Sequence, residues 1–146
     1  LTHLYANDMS TRKSGHILNV ASLAGWMPIP NQNVYAATKS YVLSFTQALA
    51  DELNAAGNGV VVSALCPGYT ATKMMDNPDQ GAKLNIAPNM MMSAKEVAEQ
   101  GIRDCLSGKM TIVPGAANKF TAAITHLFSK TRLTKLVGSF YRKNMG

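Results

Sequence analysis

The sequence predicts an α/β fold built on a parallel sheet, and three observations carry that prediction. Two short runs rich in Ile, Leu and Val, GHILNVAS at residues 15–22 and GVVVSALCP at 59–67, are mainly apolar. Such runs mark strands covered on both faces, as strands of parallel sheets are. Between them lies a long stretch of helical periodicity, so the order is strand, helix, strand, a βαβ unit. The composition agrees: 47% hydrophobic, 15% charged and 7% aromatic residues are the proportions of a globular α/β chain rather than a disordered or fibrous one.

The first run opens on Gly15 and closes in small residues, and the LAGWMPIPNQ that follows carries a glycine and two prolines, which break helix and strand alike and predict a loop. From Asn33 to about Ala56, Val34, Ala37, Tyr41, Val42, Phe45, Leu49 and Leu53 recur every three or four residues, which predicts the long helix. AAGNG ends it, and the second strand runs to Pro67. Residues 68–92 carry Pro78, Pro88 and the cluster Met90, Met91 and Met92, a pattern expected of a binding loop or lid. Ser93 with Glu96 three residues on is a capping box for a helix through about Leu106. Met110 to Val113 predicts a last strand before Pro114 and Gly115. From Asn118 onward, Phe120, Ile124, Leu127, Phe128, Leu133, Leu136, Val137, Phe140 and Tyr141 fall mostly at helical spacing, predicting a basic amphipathic tail of one or two helices.

A chain of 146 residues holds one hydrophobic core and too little material for two ordinary domains. Its two cysteines, Cys66 and Cys105, form neither a disulfide framework nor a metal knuckle, and His3, His16 and His126 share no ligand spacing, so no metal site is expected. No apolar run approaches the roughly 18 residues that span a bilayer, and residues 1–15 lack the regions of a signal peptide; a cytoplasmic protein is the default expectation. The net charge of +6 is local. Acids and bases cancel through residue 118, and the excess lies in Lys119, Lys130, Arg132, Lys135, Arg142 and Lys143.

The residues that carry chemistry gather around the βαβ unit. Tyr35 and Lys39 stand four apart on the long helix and share a face. A tyrosine phenol is about three units too weak an acid for efficient proton exchange at neutral pH, and a neighbouring ammonium favours its phenolate. Lys39 is placed to supply that charge. Ser22 ends the first strand, at the carboxyl edge where ligands of parallel sheets bind, and its hydroxyl would hold a substrate oxygen while Tyr35 exchanges the proton. Pro67-Gly68-Tyr69-Thr70-Ala71-Thr72 ends the second strand, where a glycine permits close backbone approach to a flat ligand and threonines offer polar groups.

Ser22, then Tyr35-Ala36-Ala37-Thr38-Lys39, then Pro67-Gly68 with Thr72 resembles the serine, YxxxK and PGxxxT signature of the short-chain dehydrogenases/reductases, in order and in separation. The Tyr–Lys pair alone is weak; the serine thirteen residues upstream and the strand-end Pro-Gly make the combination specific. The resemblance implies a Rossmann-like, doubly wound parallel sheet with a helical C-terminal extension. It implies hydride transfer between NAD or NADP and a ketone or secondary alcohol, with Tyr35 as general acid/base and Lys39 also bonding the nicotinamide ribose. Pro67, Gly68, the Thr70 backbone and the Thr72 hydroxyl would hold the carboxamide.

The family's glycine-rich turn, its ribose selector and its catalytic asparagine all belong to an N-terminal half that has no counterpart here. Leu1 would fall in the helix preceding the serine strand. The expectation is therefore a C-terminal half-domain over residues 1–116 and a basic helical tail over 117–146, acting on a small carbonyl or alcohol substrate, steroid-like or acyl in kind. A homo-oligomer paired through Tyr41, Phe45 and Leu49 would resemble family assemblies. The alternative is a non-catalytic or truncated module used in oligomerisation or in weak membrane-surface contact through residues 119–143. Nucleic acid is not an expected partner, because the basic residues have no recognition fold around them. Trp26 and the methionines at 90–92 either line an apolar substrate pocket or pack a core or lid.

Overall fold

Strands β1 (Gly15–Val20) and β2 (Val60–Leu65) pair in parallel along their whole length, Gly15 opposite Val60 and Val20 opposite Leu65. β5 (Thr111–Ile112) joins the far side of β2, also in parallel, giving the order β1-β2-β5. The structure is a computed structural model in which residues 1–73 and 91–144 are described.

Side-chain alternation along β2 sends the residues to two different cores. Val60 and Val62 pack with Ala6 of α1 (Thr2–Arg12) and with Leu49 and Ala50 of α2 (Asn33–Ala55). Leu65 turns to the other face and packs with Val97 and Cys105 of α3 (Ala94–Leu106) and with Ile112. Helices therefore cover both faces of a parallel sheet, the doubly wound arrangement. Full burial of a Val or Leu stabilises by about 1.5–3 kcal/mol, against a net of roughly 1 kcal/mol per ladder hydrogen bond. The two apolar faces, more than the ladder, thus set which way each strand faces.

The long helix and the capping box stand where the periodicity placed them. Ser93 Oγ accepts from the Glu96 backbone N–H at 3.2 Å, and the Ser93 N–H donates to Glu96 Oε2 at 2.9 Å. The Ser93 hydroxyl bond also holds the Glu96 carboxyl below its usual range. Two features differ from expectation. β1 stops at Val20, and Ser22, two residues beyond it, caps a 3-10 turn over Leu23–Trp26 instead of ending the strand. The glycine in that segment reads as a breaker, but a capped turn of four residues tolerates it. Further on, β3 (Thr70–Ala71) pairs in parallel with β4 (Met92–Ser93), two strands too short for periodicity to reveal. The lid expected within 68–92 falls mostly outside the described residues, Met90 included.

The tail forms α4 (Ala116–Thr125) and α5 (Lys130–Asn144). It folds back on the 3-10 turn, where His126 meets the Trp26 ring edge-on with centroids 5.0 Å apart, and Tyr141 of α5 is buried against Ala24, Ile29 and Ala36. All six cations of the tail are exposed. No helix among the described residues is long and apolar enough to cross a membrane.

Candidate active site

The carboxyl ends of β1 and β2 are laced together by backbone bonds, Ala21 N–H to the Leu65 carbonyl and Leu23 N–H to the Pro67 carbonyl, each 2.8 Å. This lacing sets the Ser22 turn beside the Pro67-Gly68 loop. Ser22 is half-buried, and its Oγ accepts from the Ala24 N–H at 3.1 Å, which fixes the hydroxyl's position and leaves its own proton for a ligand.

Lys39 reaches from the second turn of α2 to the Val20 carbonyl, Nζ to O 2.9 Å, and its ammonium stands 5.8 Å from the centre of the Tyr35 ring. One ammonium proton is thus used to tie α2 to the end of β1, and two remain for a ligand. Gly25 lets the 3-10 turn lie against α2 at this point: a Cβ there would sit 2.8 Å from the Lys39 carbonyl oxygen. The structure accordingly places Tyr35 and Lys39 together at the sheet edge next to the Ser22 turn, on half-buried ground.

Beneath them Cys66 is fully buried, and burial pushes its thiol up to about 11, despite the opposing pull of the Trp26 side chain, the Ser22 backbone and the Lys39 charge. It is a neutral packing group at neutral pH and not a nucleophile.

In the loop after β2, the space a Cβ would occupy at Gly68 is filled by the Asn118 carboxamide. Asn118 is held there by its Nδ2–H bond to the Pro114 carbonyl at 2.8 Å. Thr70 gives its hydroxyl proton to the Gly68 carbonyl at 3.1 Å, so it stiffens the loop, and Thr72 stands exposed just beyond β3. Met92 packs against the α3 side of the core.

Trp26 lines a groove of about 460 Å³ with Met27, Pro28, Ile29, Ala36 and Thr134, whose walls include neither Tyr35 nor Lys39. Its buried Nε1 acts on the Cys66 thiol and meets no close oxygen or nitrogen acceptor among the described residues.

Sequence reasoning missed Tyr69 and Tyr141, whose hydroxyls meet 3.2 Å apart. By periodicity Tyr141 is one of the apolar positions of the tail. A tyrosine on the buried face of a helix is the signal that was available, because its hydroxyl needs a partner.

A parallel sheet with helices on both faces, and a serine, a tyrosine and a lysine gathered at one carboxyl edge, define the class: a Rossmann-like doubly wound protein. Residues 1–83 match the family profile described as short chain dehydrogenase. The chain belongs to the short-chain dehydrogenase family. It is 42% identical over 80 residues to a 3-oxoacyl-[acyl-carrier-protein] reductase of Synechocystis sp., covering 55% of this chain and 32% of that protein. It is 36% identical over 73 residues to the 15-hydroxyprostaglandin dehydrogenase [NAD(+)] of Homo sapiens, covering 50% of this chain and 27% of that protein. Among solved structures, one described for 7beta-hydroxysteroid dehydrogenase stereoselectivity superposes with a TM-score of 0.77 at 20% identity, over 93% of this chain and 52% of the other, a likeness of fold. The chain spans about a third or less of the length of these two curated relatives and about half of that solved chain.

Proposed function

We propose that residues 1–116 are the C-terminal half of an oxidoreductase domain that moves a hydride between NAD or NADP and a ketone or secondary alcohol, with Tyr35 as general acid/base. The observation that carries this reading is the Lys39 ammonium, tied to the Val20 carbonyl and poised beside the Tyr35 ring. A surface lysine has no need of such anchoring. Family membership supports the cofactor and the reaction type, and the relative whose name includes NAD(+) supports a nicotinamide in particular.

The residues present fit the nicotinamide half of that cofactor. Lys39 has two ammonium protons to give to ribose hydroxyls, and the Pro67–Thr72 loop, laced to the Ser22 turn, presents the exposed Thr72 hydroxyl and the Thr70 backbone to a carboxamide. When bound, the nicotinamide supplies or accepts the hydride. Ser22 directs its hydroxyl proton at the substrate oxygen and holds it. Tyr35 gives that oxygen its proton in reduction and takes it back in oxidation, while the Lys39 charge offsets the negative charge that passes to the phenol oxygen.

The same proposal includes a cytoplasmic location and self-association. Leu4, Tyr5, Val34 and Tyr41 leave an exposed apolar surface on α1 and α2. Leu49, expected on that surface, is instead buried in the core, because its position on α2 faces β2. The experiment is titration of the full-length protein with NADH and with NADPH, followed by nicotinamide fluorescence. Saturable binding of either one is the expected result; binding of neither overturns the reading.

A further inference from the structure

The Tyr69–Tyr141 contact brings together residues 72 positions apart, one in the loop after β2 and the other on α5. Tyr141 is only 4% exposed and belongs to the cluster against which Tyr35 packs. Burial first, then the Tyr69 hydroxyl, raises the Tyr141 phenol above its ordinary value, and Tyr35 is near enough to add to the rise. The buried phenol therefore keeps its proton at neutral pH.

Two tyrosine hydroxyls carry two protons, and only one can lie between the two oxygens. The other has no acceptor among the described residues. The separation of 3.2 Å is also longer than the roughly 2.7–2.8 Å of a well-formed hydroxyl pair, so the bond between the two is a weak one. One O–H donor of the pair, with Tyr141 buried and Tyr69 half-buried, is thus left beside the expected proton donor, where an acceptor oxygen on the ligand would satisfy it.

We infer that Tyr69 and Tyr141 form a hydroxyl dyad that binds a second oxygen of the substrate, apart from the one that reacts at Tyr35. The dyad selects ketones and alcohols that carry a further carbonyl, ester or hydroxyl oxygen over those that are otherwise hydrocarbon. This inference rests on the oxidoreductase reading for the position of the substrate. The hydrogen bond itself is independent of turnover.

The test uses the full-length protein, a 3-oxo ester and a methyl ketone of the same chain length. Binding is measured by calorimetry, and kcat/KM by nicotinamide absorbance. Phenylalanine keeps the ring and removes only the hydroxyl, so Tyr69→Phe and Tyr141→Phe preserve the packing. The wild-type protein should favour the ester roughly 10- to 100-fold in both readouts. Each Phe variant should lose most of that preference while its handling of the plain ketone changes little, and the double variant should fall no further than the worse single one.

Variants that weaken both compounds equally, or a wild-type protein without preference, overturn the dyad. Tyr35→Phe should abolish turnover and leave the binding preference intact. A wild-type protein that binds the ester preferentially but reduces neither compound overturns the oxidoreductase reading and leaves the dyad standing.

Discussion

Gly68 and Asn118 show at the scale of single residues how a missing methyl group shapes the sheet edge. The Asn118 carboxamide occupies the Cβ position of Gly68 and cannot easily retreat, because it is bonded to the Pro114 carbonyl. Gly68→Ala therefore forces the loop and α4 apart, and overpacking of this kind costs about 1–3 kcal/mol. On an Asn118→Ala background the same substitution should cost markedly less. Urea unfolding of the four proteins in this cycle measures the difference; equal costs in both backgrounds would show that the two residues do not press on each other. Ser22, Tyr35 and Lys39 were legible in the sequence because their spacing is local or follows the βαβ unit. The use of Gly68 was not, since its neighbour Asn118 lies fifty residues on and no periodicity connects them. The same holds for Tyr141, which reaches Tyr69 only because α5 folds back over the 3-10 turn.

At the scale of elements, α2 is seated on β1 by more than apolar contact. Asn19 stands between Leu18 and Val20 of β1, and its Nδ2–H donates to Thr46 Oγ1 at 3.0 Å while its Oδ1 accepts from the Thr2 hydroxyl at 3.2 Å. Thr46, fully buried, passes its own proton to the Val42 carbonyl at 2.6 Å. One polar chain thus joins α1, β1 and α2, running from half-buried Thr2 and Asn19 to buried Thr46. Thr46→Val keeps the shape but leaves the Asn19 amide without that acceptor, and a loss of about 1–2 kcal/mol is expected, with Thr46→Ser recovering much of it. Thermal unfolding of the two variants checks this, and a harmless Thr46→Val would mean that the chain contributes nothing. The strands, the long helix and the capping box could be read in advance because each is written in consecutive residues. The 3-10 turn and the β3–β4 pair could not. Their existence depends on a serine cap and on contacts between segments distant in sequence.

For the molecule as a whole, burial of acidic groups near the candidate site sets a limit on alkaline stability. The Cys66 thiol, raised from near 9 to about 11, and the Tyr141 phenol, raised above its ordinary value, are both protonated more tightly in the folded state. The stability they contribute is fully present below the unfolded values and is lost as pH climbs through the folded ones. Unfolding midpoints in urea should accordingly be flat toward neutral pH and fall from about pH 9 upward, with Cys66→Ala making the fall shallower. A decline unchanged by that substitution would place the alkaline loss elsewhere. The sheet order β1-β2-β5 and the lacing of its carboxyl ends bring Ser22, Tyr35, Lys39 and the Pro67–Thr72 loop to one edge, and the tail adds Tyr141 as a further wall.

The central claim is that Tyr35 transfers the proton at that edge. Its most direct test is Tyr35→Phe in the full-length protein, assayed by nicotinamide absorbance with a ketone substrate and checked for folding by circular dichroism. The account predicts a native spectrum, retained cofactor binding and loss of essentially all turnover. A folded variant that keeps more than a few percent of wild-type activity would contradict it.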